Sequence, residues 1–275
     1  MLNLDQVTLF CVDTRTPDMS IWAMNKCLQK AKFNDAILVT DKNILHDLPK
    51  NIHIVSAPPI HCIEDYSNYL QSDLSSFIKG THMLVMQWDS FIVNPQLWDD
   101  HFLDYDYIGA PWPHHPSTSV GNGGFSLRSK KLFLNLQQPL FKKSHPEDQN
   151  ICIFNRAILE NNLKIRFAPP NIAKQFAFER EKSAAFGFHG FFNFSHVLDP
   201  NTLREVIEIM PIELLGKLDT YDLIDELYHQ HQTSLANLLL KKSNPQKKFQ
   251  KMHLQRWLRS RLNILKNLVI KSPKI

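Results

Sequence analysis

Residues 1–90 set mainly apolar runs, without polar alternation and most of them closed by a polar or acidic residue, among stretches with helical spacing. The runs are Val7–Asp13, Ala36–Thr40 with Asp41 behind it, Ile52–Val55 closed by Pro58-Pro59, and Met83–Gln87 followed by Trp88-Asp89. An apolar run without alternation suits a strand covered on both faces, and the intervening helices supply that cover. The pattern predicts an α/β protein with a mostly parallel, Rossmann-like sheet flanked by helices. Thr16 is placed to cap the first helix, with Pro17 at its first position and Asp18 in its first turn. Ile21, Met24, Leu28 and Ala31 mark the predicted buried face of that helix. Tyr66, Tyr69, Leu70, Leu74, Phe77 and Ile78 predict a second. In open sheets of this kind ligands sit outside the carboxyl ends of the strands, so Asp13-Thr14-Arg15, Asp41 and Asp89 become the first candidates for a site.

From about residue 90 to 198 the chain is rich in aromatics and Pro/Gly turns, with short strands predicted near Phe125–Leu127 and Ile165–Ala168. Ser144 and Glu147 have the spacing of a capping box that would open a helix over about Pro146–Asn161. From Pro200 onward the spacing is helical, in Leu203–Met210 and again in Leu223–Leu240. The expected organisation is one domain over residues 1–198, with halves of about 1–90 and 90–198, and a helical extension over 199–275. A chain of 275 residues with 43% hydrophobic content is large enough to bury a sizeable core. No run approaches the ~20 apolar residues of a membrane span, and the amino terminus enters a strand too soon for a signal peptide. Cys11, Cys27, Cys62 and Cys152 are scattered without C-x-x-C spacing and read as reduced thiols, which points to a cytoplasmic protein.

The net charge of +4 is unevenly placed. Residues 241–275 hold 11 Lys/Arg and no acid, which leaves 20 basic against 27 acidic groups, or −7, on residues 1–240. A nucleic-acid-binding domain carries its basic footprint on the folded body, so that class is disfavoured. Residues 247–271 read as an amphipathic helix with Leu254, Leu258, Leu262, Leu265 and Val269 on one arc and Lys248, Arg256, Arg259 and Lys266 across from it. Such a helix with Trp257 can lie on an anionic membrane surface, here the inner face; a solvated helix or a partner-binding helix has the same pattern.

Four features carry chemistry. Asp89 leaves a buried strand and can hold a divalent ion with a diphosphate, or merely cap the next turn; Gln87 beside it can reach ribose hydroxyls. Gly121-Asn122-Gly123-Gly124 contains three of the eight glycines. Asn-Gly can make a plain turn, but so many glycines favour close approach of backbone to a ligand. The stretch is neither a P-loop nor a dinucleotide fingerprint. Glu147-Asp148 either complements a helix dipole or supplies a general base, Asp148 being the choice because Glu147 is claimed by the capping box. His189, between glycines and phenylalanines in Phe186-Gly187-Phe188-His189-Gly190, is either a structural histidine or the partner of Asp89 at a metal.

Taken with Val12-Asp13-Thr14-Arg15, Gln87-Trp88-Asp89, the run from Phe102 to Trp112, Val120 to Arg128, His145-Pro146-Glu147-Asp148 and Phe167-Ala168-Pro169-Pro170, these motifs resemble a bacterial family described as GT-A-like glycosyltransferases and formerly as a domain of unknown function. The resemblance covers roughly residues 5–198. It implies a GT-A-like domain in which the strand-end acid binds Mn2+ or Mg2+ with the donor diphosphate. The wider superfamily has Asp-x-Asp there, whereas this chain has Gln87 in place of the first acid, leaving His189 and phosphate oxygens to complete the shell. Glu147-Asp148 looks like the acidic pair that inverting members set before the acceptor. The expectation is metal-dependent transfer from a nucleoside diphosphate sugar, a UDP-sugar first, to a hydroxyl of a saccharide or lipid-linked saccharide in surface-polysaccharide assembly. Thr14, Arg15, Asp41, Gln87, Trp88, Gly123 and Gly124 would touch the donor, Asp89 and His189 the metal, and Asp148 would be the base. The alternatives are a sugar- or nucleotide-binding module without turnover and a peripheral-membrane scaffold.

Overall fold

The mainly apolar runs do form strands. The structure, a computed structural model, describes residues 1–42, 50–113 and 120–243 together with Leu258 and Leu262. It divides into two compact units, Met1–His189 and Gly190–Ile275. In the first unit β1 (Leu2–Val12) leads to α1 (Pro17–Leu28), β2 (Ala31–Thr40), β3 (His53–Ser56), α2 (Ile63–Leu70), β4 (His82–Met86) and β5 (Ser90–Ile92). There follow β6 (Tyr107–Gly109), β7 (Phe125–Ser129), α3 (Lys130–Asn135), α4 (Glu147–Gln149), α5 (Arg156–Asn161), α6 (Pro170–Phe176), β8 (Ala177–Phe178) and β9 (Gly187–His189).

The central sheet has the order β3-β2-β1-β4-β7-β6. Its first four strands are parallel, β7 is antiparallel to β4, and β6 is antiparallel to β7. This is the expected α/β class, a mostly parallel sheet flanked by helices. β4 is buried at every position and β1 from Val7 to Val12, which is why neither run alternates. A smaller sheet, β5-β9-β8, carries the last part of the unit.

Register decides what stands at the sheet edge. Val12 lies beside Val39 and Cys11 beside Met86, so Asp13, Asp41 and Gln87 all emerge at the carboxyl ends of the parallel strands. Strand order reverses between β1 and β4, the place where such sheets open a crevice. Because β7 runs the other way, its first residue, Phe125, pairs with Met86 and the glycine-rich stretch arrives at the same edge. In the small sheet Ser90 pairs with His189, which puts that histidine beside Asp89.

An aromatic cluster holds these pieces in place. Phe125 lies 5.5 Å from Phe176 and Phe176 5.9 Å from Phe186, centre to centre, while Phe91 meets Phe188 edge-on at 4.7 Å. Each fully buried ring contributes about 2–3 kcal/mol. A Cβ at Gly187 would stand 2.2 Å from the Phe125 ring, so the ring occupies the space a larger residue would need.

Several local expectations change. Thr16 stands at the N-cap of α1, but its side chain accepts no capping bond. The Asp13 carboxylate does that work, accepting from the backbone of Arg15 and Thr16 (both 2.8 Å) and from the hydroxyls of Thr16 and Ser20. The buried face of α1 is Met19, Ser20, Ala23, Met24 and Cys27; Ile21 and Leu28 are half-buried and Ala31 opens β2. α2 ends at Leu70, and Leu74 to Ile78 belong to a separate short turn. The strand expected at Ile165–Ala168 is a single bridge between Phe167 and Tyr107. The helix expected over Pro146–Asn161 is α4, a π-helical turn over Asn150–Phe154 and α5.

The second unit is helical: α7 (Phe194–Val197), α8 (Pro200–Ile209), α9 (Leu218–His229) and α10 (Thr233–Lys242). Asp199 caps α8, accepting from Asn201 and Thr202 (3.0 and 3.1 Å), with Pro200 at the first position. The apolar spacing of Leu223–Leu240 is split between α9 and α10 by a turn in which His231 has φ 58°. The basic segment 247–271 lies outside the described residues except for Leu258 and Leu262, both helical and exposed. Among the described residues no helix is long and apolar enough to cross a membrane. Cys11, Cys27 and Cys152 are buried free thiols, and Cys62 is exposed at the start of α2.

Candidate active site

The turn after β4 delivers Asp89. Ser90 closes it, its hydroxyl accepting from the Gln87 amide (3.0 Å) and donating to the Gly124 carbonyl (2.8 Å). Asp89 is 7% exposed, and its Oδ1 lies 3.6 Å from Nε2 of His189. The predicted metal pair therefore comes together. The other face of the imidazole is held: Nδ1 is 3.1 Å from Oε1 of Glu179, which also accepts from the Asn122 side-chain amide (3.0 Å). Asn122 in turn accepts from the Gly124 N–H (2.9 Å). Gln87 Oε1 lies 3.3 Å from His189 Nε2, and Gln87 Nε2 donates to the Tyr66 hydroxyl (3.0 Å).

The glycines of the loop are needed for room, since among all eight only Gly190 and Gly216 have positive φ. A Cβ at Gly121 would meet the Trp112 ring at 2.2 Å, one at Gly124 the His189 imidazole at 2.2 Å, and one at Gly123 Glu147 Oε1 at 2.6 Å. Close approach was expected; the groups that approach are side chains of this chain, so no ligand is required to explain the glycines.

On the far side of Gly123 stands Asp148. Its Oδ2 accepts from the Gly123 N–H (3.2 Å) and its Oδ1 from the Gln149 N–H (2.8 Å). Burial, and after it the negative charge of Glu147, push the Asp148 carboxyl up to about 6. A carboxylate with that affinity is ionised at neutral pH yet basic enough to take a proton. The capping box does not form: α4 starts after Pro146 with no side-chain cap, and Glu147 is buried against Arg128, Oε1 to Nη2 3.0 Å. The segment is tied down further by Asn150, whose amide donates to Gln71 Oε1 (2.6 Å) and the Lys142 carbonyl (2.9 Å).

The remaining predicted residues line the same sheet edge. Thr14 and Trp88 are half-buried, Arg15 and Asp41 exposed. Sequence reasoning missed Glu179, Asn122, Tyr66 and Arg128. Arg128 and Asn122 lay inside a quoted motif, but nothing in the order of residues shows that a strand-borne arginine meets Glu147. A cavity of about 710 Å³ lined by Leu2, Gln96, Trp98, Asp99 and Gln175 lies at the amino end of β1, the opposite end from Asp13, and none of the predicted residues lines it.

Among the described residues no group of three His, Cys, Asp or Glu is arranged to hold a metal by itself. Asp89 and His189 offer one oxygen and one nitrogen donor, a mixed set that suits Mn2+ better than Mg2+. Glu179 behind the imidazole is the carboxylate that usually orients a ligating histidine. The pair fits an ion whose other positions are filled by ligand oxygens and water.

The fold is α/β, and the candidate residues Asp89, His189 and Asp148 gather at the carboxyl edge of its mostly parallel sheet. The chain belongs to the family described as "Protein of unknown function (DUF5672)", which matches residues 50–190. No curated protein sequence matches it. Solved structures similar to it include a glycosyltransferase involved in glycosylation of the major capsid of PBCV-1, 12% identical over 66% of this chain and 91% of that one, TM-score 0.40. Another is the apo form of the glycosyltransferase GlyE of Streptococcus pneumoniae TIGR4, 11% identical over 88% and 65%, TM-score 0.39. A third is the mannosyltransferase PcManGT of Pyrobaculum calidifontis in complex with GDP-Man and Mn2+, 10% identical over 98% and 88%, TM-score 0.41.

Proposed function

We propose that this chain is a glycosyltransferase that moves a sugar from a nucleoside diphosphate sugar to the hydroxyl of a saccharide or lipid-linked saccharide, with inversion. The observation that carries the reading is the convergence of Asp89, His189, the glycine loop and Asp148 at one sheet edge, from positions 89 to 189 of the chain. Gln87, Trp88, Thr14, Arg15 and Asp41 would bind the nucleotide and sugar there. Mn2+ or Mg2+ held by Asp89 and His189 would neutralise charge on the departing diphosphate. The acceptor oxygen forms its bond to the anomeric carbon as the carbon–phosphate-oxygen bond breaks. The acceptor proton passes to Asp148, and the diphosphate leaves with the electron pair. A carboxyl at about 6 is roughly nine-tenths ionised at pH 7 and ready for that proton.

UDP is the first donor to test and GDP the second. A role in bacterial surface-polysaccharide assembly at the inner face of the membrane follows only from the basic segment 247–271. Release of UDP from UDP-sugars and of GDP from GDP-mannose, with and without Mn2+, tests the reading. Nucleotide-sugar binding with no release under any condition replaces it with a binding module, and function that is lost on deleting 247–275 but kept in Asp148→Asn replaces it with a peripheral-membrane scaffold.

A further inference from the structure

Arg128 sits at the centre of the cluster that carries Asp148. Its side chain is wholly buried on β7, the antiparallel strand that brings the glycine loop to the sheet edge. Nε donates to Ser126 Oγ (2.9 Å), and Nη2 donates to Glu147 Oε1 (3.0 Å) and to the Gly123 carbonyl (3.4 Å). The guanidinium carbon lies 5.2 Å from the centre of the Tyr107 ring, a cation–π contact. Nη1 is buried with no hydrogen-bond partner among the described residues. A buried ion pair seldom adds stability over an apolar pair of the same volume, and one with an orphaned donor adds less. The arrangement therefore needs a reason other than stability.

Gly123 is gripped from both sides. Its carbonyl faces Arg128 and its N–H donates to Asp148, and a Cβ there would lie 2.6 Å from Glu147 Oε1, 3.0 Å from Arg128 Nη2 and 3.1 Å from Asp148 Cβ. We propose that Arg128 is a positioning residue for the transfer reaction. It holds Glu147 and Gly123 together so that Asp148 meets the acceptor hydroxyl from a fixed place and beside two fixed charges. This rests on the reading of Asp148 as the base. The groups facing Asp148 are Glu147 on its own turn, Arg128 on β7, Tyr107 on β6 and Cys152 on the turn that follows. Burial holds Tyr107 and Cys152 well above their ordinary values, so both are neutral, and the balance lies between Glu147, which raises the proton affinity of Asp148, and Arg128, which lowers it.

The test uses the full chain, Asp148→Asn, and a paired variant with Arg128→Met and Glu147→Gln. The paired variant removes both charges at once, whereas Arg128→Met alone leaves a carboxylate buried without its partner. The readouts are kcat and donor KM for nucleotide release from UDP-glucose or GDP-mannose, the acid limb of kcat/KM, and the carboxyl 13C titration of Asp148. The expected result for the paired variant is an unfolding midpoint near that of the natural chain and a donor KM within about twofold. Its kcat should fall at least about tenfold, with the acid limb and the 13C titration both displaced to lower pH. A folded paired variant with natural kcat and unmoved limb overturns the proposal. Undiminished kcat in Asp148→Asn instead overturns the base assignment. The 13C titration then decides the charge coupling alone: displaced supports it, unmoved overturns it. If the paired variant does not fold, Arg128→Lys keeps the charge and loses the fork. Lower kcat at unchanged donor KM then supports the proposal, and natural kcat overturns it.

Discussion

Replacing Asp148 by Asn should make the protein less active and, relative to the natural chain, more stable as pH rises, and the two effects have one cause. A carboxyl moved from 3.8 to about 6 by burial and by Glu147 binds its proton more tightly in the native state than in the unfolded chain. Stability from that source is fully present below the unfolded value and is lost as pH rises through about 6. At about 1.4 kcal/mol per pH unit, the ionised side chain costs the native state about 3 kcal/mol at the limit. Asp148 is half-buried, so solvent screening reduces this to about 1–2 kcal/mol. Asn has the same shape and carries no charge, but it has one acceptor oxygen where Asp148 uses two, so it keeps the bond from either the Gly123 or the Gln149 amide and loses the other, a cost that does not depend on pH. Thermal unfolding should therefore show the midpoint of Asp148→Asn, measured relative to the natural chain, rising by about 3–6 °C between pH 4 and pH 8.

Activity moves the other way. A positioned base contributes about 10²- to 10⁴-fold, so nucleotide release should fall by that factor, about 3–5 kcal/mol in the barrier, with donor KM within about twofold. In the natural chain kcat/KM should fall about tenfold per pH unit below about 6. Turnover within about threefold of the natural chain would refute the base. A stability difference that does not change between pH 4 and pH 8 would refute the charge accounting, whatever the activity.

Gly124→Ala sets a Cβ 2.2 Å from Cδ2 and Nε2 of His189, so the imidazole must move. The Mn2+ concentration for half-maximal nucleotide release should rise about 10- to 100-fold with an unchanged circular dichroism spectrum, and an unmoved Mn2+ dependence would remove His189 from the metal. Glu179→Gln weakens the group behind the imidazole; Mn2+ binding followed by electron paramagnetic resonance should weaken in the same direction and by up to about 100-fold. Phe125→Ala, in the cluster with Phe176 and Phe186, should cost about 3–5 kcal/mol in urea unfolding; a cost below about 1 kcal/mol would mean that the aromatic cluster does not hold the small sheet.

β4, Val7–Val12 of β1 and the second half of β2 are legible because they are buried without a break, so apolar residues dominate them; the edge strand β3 is largely exposed and is marked only by its short apolar run. Where burial is one-sided or polar groups are satisfied internally, the reading slipped. Leu2–Asp5 of β1 alternates, and the register shift between Leu4 and Thr8 leaves both Asp5 and Gln6 exposed, so the sequence predicts no strand before Val7. The stripe of α1 was misphased because Ser20, a core position, is polar and paid for by its bond to Asp13. The break after α2 is set by Asp73, which accepts from the Ser75 N–H (3.0 Å) and turns the chain, while the apolar spacing continues through Leu74 and Phe77 as if nothing had happened.

The site divides along the same line. Asp89 and His189 stand out in the sequence as candidates because each follows a mainly apolar stretch, and the structure places them side by side. What joins them is register: Met86 opposite Phe125 in one sheet and Ser90 opposite His189 in the other, pairings between residues far apart in the chain. Glu147 shows the converse. Its local spacing from Ser144 was sound as a capping signal, but a buried guanidinium 19 residues back claims its carboxylate, since leaving Arg128 without a counter-charge would cost more than losing one cap. Local rules fail where a long-range charge has no other partner, and here that failure falls beside Asp148, the carboxylate proposed as the base.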